Sequence, residues 1–599
     1  MTACTTAATL ARPVSSADAD YLVFYAAGRQ AQAVAAIAAH GGRAVSVEPK
    51  LGYVVAKGTG GAFVDTLARD AAIVGVSSDR PIGFASAAAQ DRWAALHPEA
   101  GRADASARDQ WAALRPGQGQ AGVAAGRADV SAPDRRAALR PGQAGMAAGR
   151  ADASALPDRP LSARPAVMPD MRAPGTRAAE PLASRQWDMK MIGADRANAI
   201  APGDKKVLVG VIDTGIDGKH PDIAPNFNRE LSRNFVTDRP KDPKGQPLDG
   251  PCEVKSCKDP VDVDDDGHGT HVASTIGSPI NGKGIAGVAP NVQLLNLRAG
   301  QDSGMFFLKP SLDALTYAAD AGVDVVNMSY YLDPWMFNCP NNKADSQRER
   351  TEQRAIITGM QRAIDYARSK GVTVIAALGN GSTDLGHPRT DDKSPNYPKD
   401  SQRSRTIDNT CLNVPVESNG VISIAALGPS GRKAVYSDYG IEQTDLSAPG
   451  GDSLDGGGIS PTRSILAAAP TAAMRATNKI DAAGMPKTAE VVRDCHDGRC
   501  AYYQYLDGTS MAAPHATGVA AILISRFGRP GPGGVTMDAA SVERLMYSSA
   551  TPKPCPSPRA FQYKYFGQTE THVCEGDTAK NGFYGRGVVN AYKAATLAP

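Results

Sequence analysis

The run Gly508-Thr509-Ser510-Met511-Ala512-Ala513-Pro514-His515 sets a hydroxyl among small residues at the mouth of a helix. From Met511 onward Val519, Ala520, Ile522 and Leu523 recur at helical spacing. A serine there can simply cap the helix, and a proline is tolerated in a first turn. It can also be a nucleophile, because unpaired N–H groups and the positive end of the helix dipole favour the oxyanion it makes. The second reading needs a base, a group that orients the base, and a donor for the oxyanion. "VGVIDTG" ends an apolar run at Asp213, "DGHGTHVAS" places His268 at the entry to a helix, and "VTVIAALGN" ends another run at Asn380. Each has a bland explanation alone: a turn aspartate, a structural histidine, an asparagine before glycine. Together they are the set that acyl transfer requires.

Positioning four such residues demands a sheet. "KVLVGVID", "QLLNLRA", "VDVVNMS", "VTVIAALGN" and "VISIAAL" are continuous apolar runs of the kind buried on both faces. They alternate with helical stretches over 184–599, which predicts an α/β domain with a parallel sheet. Ligands of such sheets gather at the carboxyl edge of the strands, so Asp213, His268, Asn380 and Ser510 can converge there. Residues 20–83 read separately as strand, helix, strand, strand, helix, strand, a ferredoxin-like α+β order. Between the two, 84–183 repeats "GRADASA" at 101, "GRADVSA" at 126 and "GRADASA" at 149. A solenoid is one reading of such a period. The stretch is so rich in Ala, Arg, Gly, Pro and Asp that it cannot bury much surface, and a flexible duplicated linker is the better reading. Residues 1–19 lack a basic start and carry only a short apolar stretch, which reads as the remnant of an export leader.

The charge balance, 65 basic against 62 acidic residues for a net of +3, gives no electrostatic case for nucleic acid or an anionic membrane. No run of 18 apolar residues exists to span a bilayer. Eight of the nine cysteines lie after residue 250, which suggests disulfides and an oxidising compartment. Spacing suggests Cys252–Cys257, Cys495–Cys500 and Cys555–Cys574, leaving Cys339 with Cys411. Zinc is the rival, because two of the pairs are C-x4-C, although no second ligand pair stands at finger spacing.

The order Asp, His, Ser with "VIDTGIDGKHPDI", "DGHGTHVAS", "NMS", "AALGN", "GTSMAAPHATGVAA" and "YGRGVVNAYKAAT" resembles the subtilisin-like serine proteases, the subtilases, across about 187–599. The long inserts are similar to a secreted actinobacterial branch, and 20–83 is similar to the family's inhibitor propeptide. The resemblance implies a subtilisin-like, mostly parallel sheet flanked by helices over 184–599, behind a small ferredoxin-like propeptide. It implies a secreted serine endopeptidase made as a zymogen and working through an acyl-enzyme. Ser510 would be the nucleophile, His268 its base, Asp213 the orienting carboxylate, and Asn380 the oxyanion donor beside the Ser510 N–H. Ser329, Tyr330, Tyr331, Leu378 and Gly379 would bind substrate, while His271 and Asp217 would be structural. No cofactor is implied for catalysis. Structural calcium is implied at Asp222 and Asn281, and "DVDDDG" (262–267) is a further carboxylate cluster that is either a ligand set or a solvated insert. The implied partners are polypeptide substrates and the chain's own propeptide as intramolecular inhibitor, with no nucleic acid, around a monomer. Lipoprotein anchoring is a weaker alternative to free secretion.

The sequence departs from the family at the strand that meets substrate. Tyr330 and Tyr331 stand where small residues are usual, and either cap the pocket or pack on an insert. Gly381 follows Asn380, so no local carboxylate selects basic substrates. A narrow-specificity processing protease or a transpeptidase on the same fold is the alternative reading. A non-catalytic binding protein is the third, and it would need a catalytic group to be missing.

Overall fold

The computed structural model describes residues 19–58, 60–78, 84–85, 180–242, 245–398 and 401–598. The chain divides into two units, 1–102 with 179–599, and 103–178. The expected leader and nearly all of the expected linker lie outside the described residues.

The N-terminal part is built from β1 (Ala19–Tyr25), α1 (Gln30–Ala39), β2 (Arg43–Glu48), β3 (Tyr53–Gly58), α2 (Gly60–Leu67) and β4 (Ile73–Ser78). Its sheet has the antiparallel order β2-β3-β1-β4. Strand β1 shows why the sheet needs cover on both sides. Successive side chains of a strand point to opposite faces. Tyr21, Val23 and Tyr25 pack with Ile37 of α1 and with Phe63, Val64 and Leu67 of α2. Leu22 and Phe24, the residues between them, are equally buried, but they join the hydrophobic core of the following domain. A last short strand, β5 (Phe84–Ala85), leaves this unit.

The large domain centres on a seven-stranded sheet. In chain order its elements are β6 (Leu208–Ile212), β7 (Arg233–Asn234), α3 (His268–Gly277), β8 (Gln293–Arg298), α4 (Leu308–Asp320), β9 (Val325–Met328) and β10 (Tyr330–Tyr331). They continue as α5 (Gln347–Ser369), β11 (Thr373–Ala377), β12 (Val421–Leu427), β13 (Leu446–Pro449), β14 (Ile465–Ala469), β15 (Val491–His496), β16 (Arg499–Leu506) and α6 (Thr509–Phe527). The sheet order is β13-β12-β11-β9-β6-β8-β7, parallel throughout. The five apolar runs of the sequence are β6, β8, β9, β11 and β12. They read as continuous rather than alternating because both faces are covered. Val209, Val211, Val325 and Ile375 face the core that contains α3 and α6. Leu208, Ile212, Val326, Met328, Val374 and Ala376 face the core that contains α4 and α5. A separate antiparallel sheet, β14-β16-β15, packs against α3.

Four disulfides close loops in this domain: Cys252–Cys257, Cys339–Cys411, Cys495–Cys500 and Cys555–Cys574. These are the pairs that spacing suggests, and with every sulfur of the eight engaged no zinc site is made of them. Among the described residues, no helix is long and apolar enough to cross a membrane.

Candidate active site

Asp213 follows the last residue of β6 and is fully buried. Its backbone carbonyl accepts from the N–H groups of Ala299 and Gly300, each at 3.0 Å, which fixes the strand end. Its Oδ1 accepts from Thr214 N at 2.8 Å and lies 2.7 Å from His268 Nδ1. A carboxylate there makes Nδ1 the protonated ring nitrogen and leaves Nε2 as the basic one. His268 Nε2 is buried with no hydrogen-bond partner among the described residues.

His268 opens α3 directly after Gly267, whose φ of +100° lies in the left-handed region that glycine tolerates best. Asp264 pins this entry. Its Oδ1 accepts from Gly267 N at 2.9 Å and from the Thr214 hydroxyl at 3.0 Å. Its Oδ2 accepts from Thr270 N at 2.9 Å and from the Thr270 hydroxyl at 2.6 Å. Thr214 Oγ1 in turn accepts from Gly269 N at 3.0 Å, and Asp266 Oδ1 from His268 N at 3.0 Å. One buried carboxylate therefore ties the end of β6 to the first turn of α3, the two elements that carry Asp213 and His268. The sequence "DVDDDG" reads only as a ligand cluster or a solvated insert. The signal for this role was a carboxylate three residues ahead of a glycine-opened helix.

Burial works against a charged His268, but Asp213, Asp266 and Asp264 outweigh it, and the imidazole pKa is pushed up to about 9. His271, one turn later, is pushed down to about 3, first by burial. Its Nε2 lies 3.1 Å from Ile465 O and 3.0 Å from Gln504 O, so it is a neutral strut between α3 and the β14–β16 sheet. Asp217 likewise caps its own turn, accepting from Lys219 N.

Ser510 is the second residue of α6, and the cap position belongs to Gly508, whose carbonyl accepts from Met511 N at 3.0 Å. The hydroxyl therefore does not cap the helix. It donates to Ser329 O at 3.2 Å, and Ser329 Oγ donates to Ser510 O at 3.1 Å. Ser329 Oγ itself accepts from Asn327 Nδ2 at 2.8 Å, and Asn327 Oδ1 accepts from the Thr517 hydroxyl at 3.0 Å. The start of α6 is thus locked to the end of β9. The Ser510 hydroxyl thus bonds a backbone carbonyl here rather than His268 Nε2.

Asn380 follows β11 through Leu378 and Gly379. Its Oδ1 accepts from Thr509 N at 2.9 Å and from the Thr509 hydroxyl at 2.8 Å. With the carbonyl end held, the amide end is turned the other way. A Cβ placed on Gly508 would stand 3.5 Å from Ser510 N and 3.6 Å from Asn380 Nδ2. Ser510 N and Asn380 Nδ2 thus lie beside the same glycine.

The residues expected to bind substrate divide. Ser329 bonds Ser510, and Gly379 N donates to Thr509 Oγ1 at 3.1 Å. Leu378 turns its side chain into the core beside α4 and α5. Tyr330 is buried and stacks on Phe306, with centroids 4.0 Å apart and ring planes 5° apart. It packs against a neighbouring segment rather than capping an opening. Tyr331 is half-buried, and its backbone, with that of Tyr330, pairs antiparallel with Phe84 and Ala85 of β5.

Asp222 and Asn281 meet as hydrogen-bond partners. Asn281 Nδ2 donates to Asp222 Oδ1 at 3.1 Å, and Ile285 N and the Tyr503 hydroxyl donate to Oδ2 at 3.0 and 2.8 Å. Asn281 Oδ1 accepts from Lys283 N at 2.9 Å. Donors thus sit on the oxygens a cation would need. Burial raises the Asp222 pKa to about 7.

A buried Asp–His pair at the carboxyl edge of a parallel sheet, with a serine at a helix mouth, is an arrangement of subtilisin-like architecture. The family model described as the subtilase family, Peptidase S8, matches residues 204–587, and the chain belongs to that family. It is 28% identical to the thermophilic serine proteinase of Bacillus sp. (strain AK1) over 333 residues, 55% of each chain. It is 27% identical to fervidolysin of Fervidobacterium pennivorans over 379 residues, 60% of this chain and 41% of that one. The match thus spans about half the length of these relatives. The solved structure of the epidermin leader peptide processing serine protease from Staphylococcus aureus is similar with a TM-score of 0.53 at 20% identity, covering 97% of this chain and 99% of that one. At that identity the likeness speaks for the fold.

Proposed function

We propose that the protein is a secreted serine endopeptidase, made as a zymogen, with Ser510, His268 and Asp213 as its triad. The observation that carries the reading is the 2.7 Å contact between His268 Nδ1 and the buried Asp213 carboxylate, which leaves Nε2 as the base. Ser510 Oγ attacks the scissile carbonyl while His268 Nε2 takes its proton. Asp213 holds the imidazole in this tautomer and stabilises the imidazolium. The tetrahedral oxyanion accepts from Asn380 Nδ2 and Ser510 N. Collapse expels the amine with the proton returned by His268. Water then enters by the same general-base route and releases the acyl group from Ser510.

The zymogen part of the reading is supported by β5. It lies as an antiparallel strand on Tyr330 and Tyr331, next to the Ser329 carbonyl that receives the Ser510 hydroxyl. A polypeptide substrate would add to the same edge by main-chain pairing. Residues 20–85 thus act as an inhibitor that must leave before substrate enters. A narrow-specificity processing role is the second reading, supported by half-buried Tyr331 where the family usually has a small residue on this edge.

A fluorophosphonate probe should label Ser510 of the processed enzyme and leave the Ser510→Ala protein unlabelled. The Ser510→Ala variant should lose about 10⁶-fold in kcat on a peptide substrate while remaining folded. Labelling at another residue, or near-parental turnover by the variant, would rule out the triad. A digest of a random peptide library separates the two readings: broad cleavage favours the general endopeptidase, and one short motif favours processing.

A further inference from the structure

Asn380 is held twice, by residues from two different segments. Thr509, at the mouth of α6, engages its side-chain carbonyl. Asp438, between β12 and β13, holds the backbone on either side of it. Asp438 N donates to the carbonyl of Gly379, the residue before Asn380, at 2.9 Å. The Asp438 carboxylate accepts from the N–H of Gly381, the residue after Asn380, and its Oδ1 accepts from Thr383 N at 2.7 Å. Ser382 N donates to Tyr436 O at 2.8 Å and Tyr439 N to Thr383 O at 3.0 Å, so the 379–383 loop lies along the 436–439 segment.

The carboxylate is packed against the loop as well as bonded to it. A Cβ on Gly379 would stand 2.2 Å from Asp438 Oδ2, and one on Gly381 3.0 Å from Oδ1. Gly379 also has a φ of +127°, so a side chain there would meet both strain and the carboxylate. The segment that carries Asp438 is itself fixed. Ser437 Oγ accepts from Ala426 N of β12 at 3.0 Å and donates to Asp438 O at 2.9 Å. The Tyr436 hydroxyl bonds Gly450 O at 3.0 Å, and that carbonyl also accepts from Gly508 N at 2.9 Å. The segment is thereby tied to the helix mouth that carries Ser510. Asp438 is 2% exposed, and burying a carboxylate is costly. Burial pushes its pKa up to about 6, against the N–H donors and the nearby Lys393 and Lys433.

We propose that Asp438 is a positioning residue for the oxyanion donor: its carboxylate fixes the backbone of Gly379 and Gly381 so that Asn380 Nδ2 stays beside Ser510 N during the reaction. The inference rests on the oxyanion role proposed above for Asn380. A donor that is already aimed needs no reorganisation as negative charge develops, and its benefit falls off when it is free to turn away. The side chain of Asp438 bonds the loop rather than Ser510 or His268, so its effect on turnover passes through Asn380.

The test is a double-mutant cycle on the processed enzyme, with fluorophosphonate labelling to count active sites and a peptide substrate at a pH well above 6. Asp438→Ala should lower kcat about 10–100-fold with little change in KM. In the Asn380→Ala background the same change should lower kcat less than about threefold, because the donor it positions is gone. Equal losses in the two backgrounds, or an effect confined to KM, overturn the positioning role while leaving Asn380 in place. Unchanged kcat for Asn380→Ala alone removes the oxyanion reading and this inference with it. Should Asp438→Ala fail to fold, Asp438→Asn enters the same cycle. It keeps the size of the side chain but offers one oxygen in place of two, and kcat should fall about tenfold only when Asn380 is present. Parental kcat in Asp438→Asn overturns the proposal equally.

Discussion

In the proposed reaction Asn380 and Asp266 act from opposite sides, one on the oxyanion and one on the base. Thr509 grips the Asn380 carbonyl, so Asn380→Ala should lower kcat about 10²–10³-fold with little change in KM, the size expected for one lost oxyanion donor. Steady-state kinetics on a peptide substrate checks this; a change confined to KM would remove Asn380 from the oxyanion role. His268 must be unprotonated to take the Ser510 proton. With its pKa raised to about 9, kcat/KM should climb as pH rises past the ordinary histidine range and level off only above about 9. Asp266 contributes to that rise, and its own carboxyl is pushed up to about 6, first by burial, so it is ionised wherever the enzyme works. Asp266→Asn keeps an oxygen for His268 N but removes the charge, and the midpoint of the pH profile should shift to lower pH. The sign is opposite for stability. A folded-state pKa above the unfolded value stabilises the fold fully below about 6.5, and that contribution fades as pH rises through about 9. Asp213, His268, Asn380 and Ser510 were legible in the sequence because each breaks an apolar run at a strand end or helix mouth. Asp264 was not, because its work consists of bonds to Thr214 and Thr270 that only folding brings within reach.

Helix α5 is the element on which the N-terminal unit sits. Arg362 donates from Nη1 to Leu51 O and Gly52 O at 3.1 and 2.9 Å, and from Nη2 to Tyr25 O at 2.9 Å. A Cβ on Gly75 of β4 would stand 2.6 Å from Ala355 N, so the strand lies directly on the helix backbone. Lys50–Asp320 and Arg348–Asp65 are exposed pairs at the margin and contribute little. The fragment 20–85 added to the processed enzyme should therefore inhibit it. Arg362→Ala in the enzyme should weaken that inhibition by about 2 kcal/mol, roughly 30-fold, without changing turnover of a short peptide. Inhibition constants measured for parent and variant decide it; equal constants would put the docking surface elsewhere. The order strand, helix, strand, strand, helix, strand was readable from its apolar pattern. That Leu22 and Phe24 serve the neighbouring domain was not, since alternation shows two buried faces without saying what covers the second.

Across the whole molecule the disulfides differ in what they constrain. Cys339–Cys411 closes a separation of 72 residues inside the core beside α5, whereas Cys252–Cys257 closes five. Loop-closure entropy gives about 4 kcal/mol for the long loop and about 2 kcal/mol for the short one. Replacing Cys339 and Cys411 with Ala should therefore lower denaturant stability of the Ser510→Ala protein about twice as much as replacing Cys252 and Cys257. Equal losses would show that strain or residual structure, rather than loop length, sets their effect.

The sequence by itself determined the parallel sheet, the cysteine pairs, and the four residues proposed as nucleophile, base, orienting carboxylate and amide donor. These rest on continuous apolar runs, on three short cysteine spacings that leave Cys339 with Cys411, on polar residues where a run stops, and on the resemblance to the subtilases that gave those residues their roles. Tertiary structure alone decided the rest. It buried Tyr330 against Phe306, turned Leu378 into the core, set donors rather than open space around Asp222, and drew Glu253, Asp259, Asp265 and Asp302 together from the insert and the turn after β8. Each depends on a partner distant in sequence, and side-chain spacing along a chain carries no information about which distant surface will arrive to meet it.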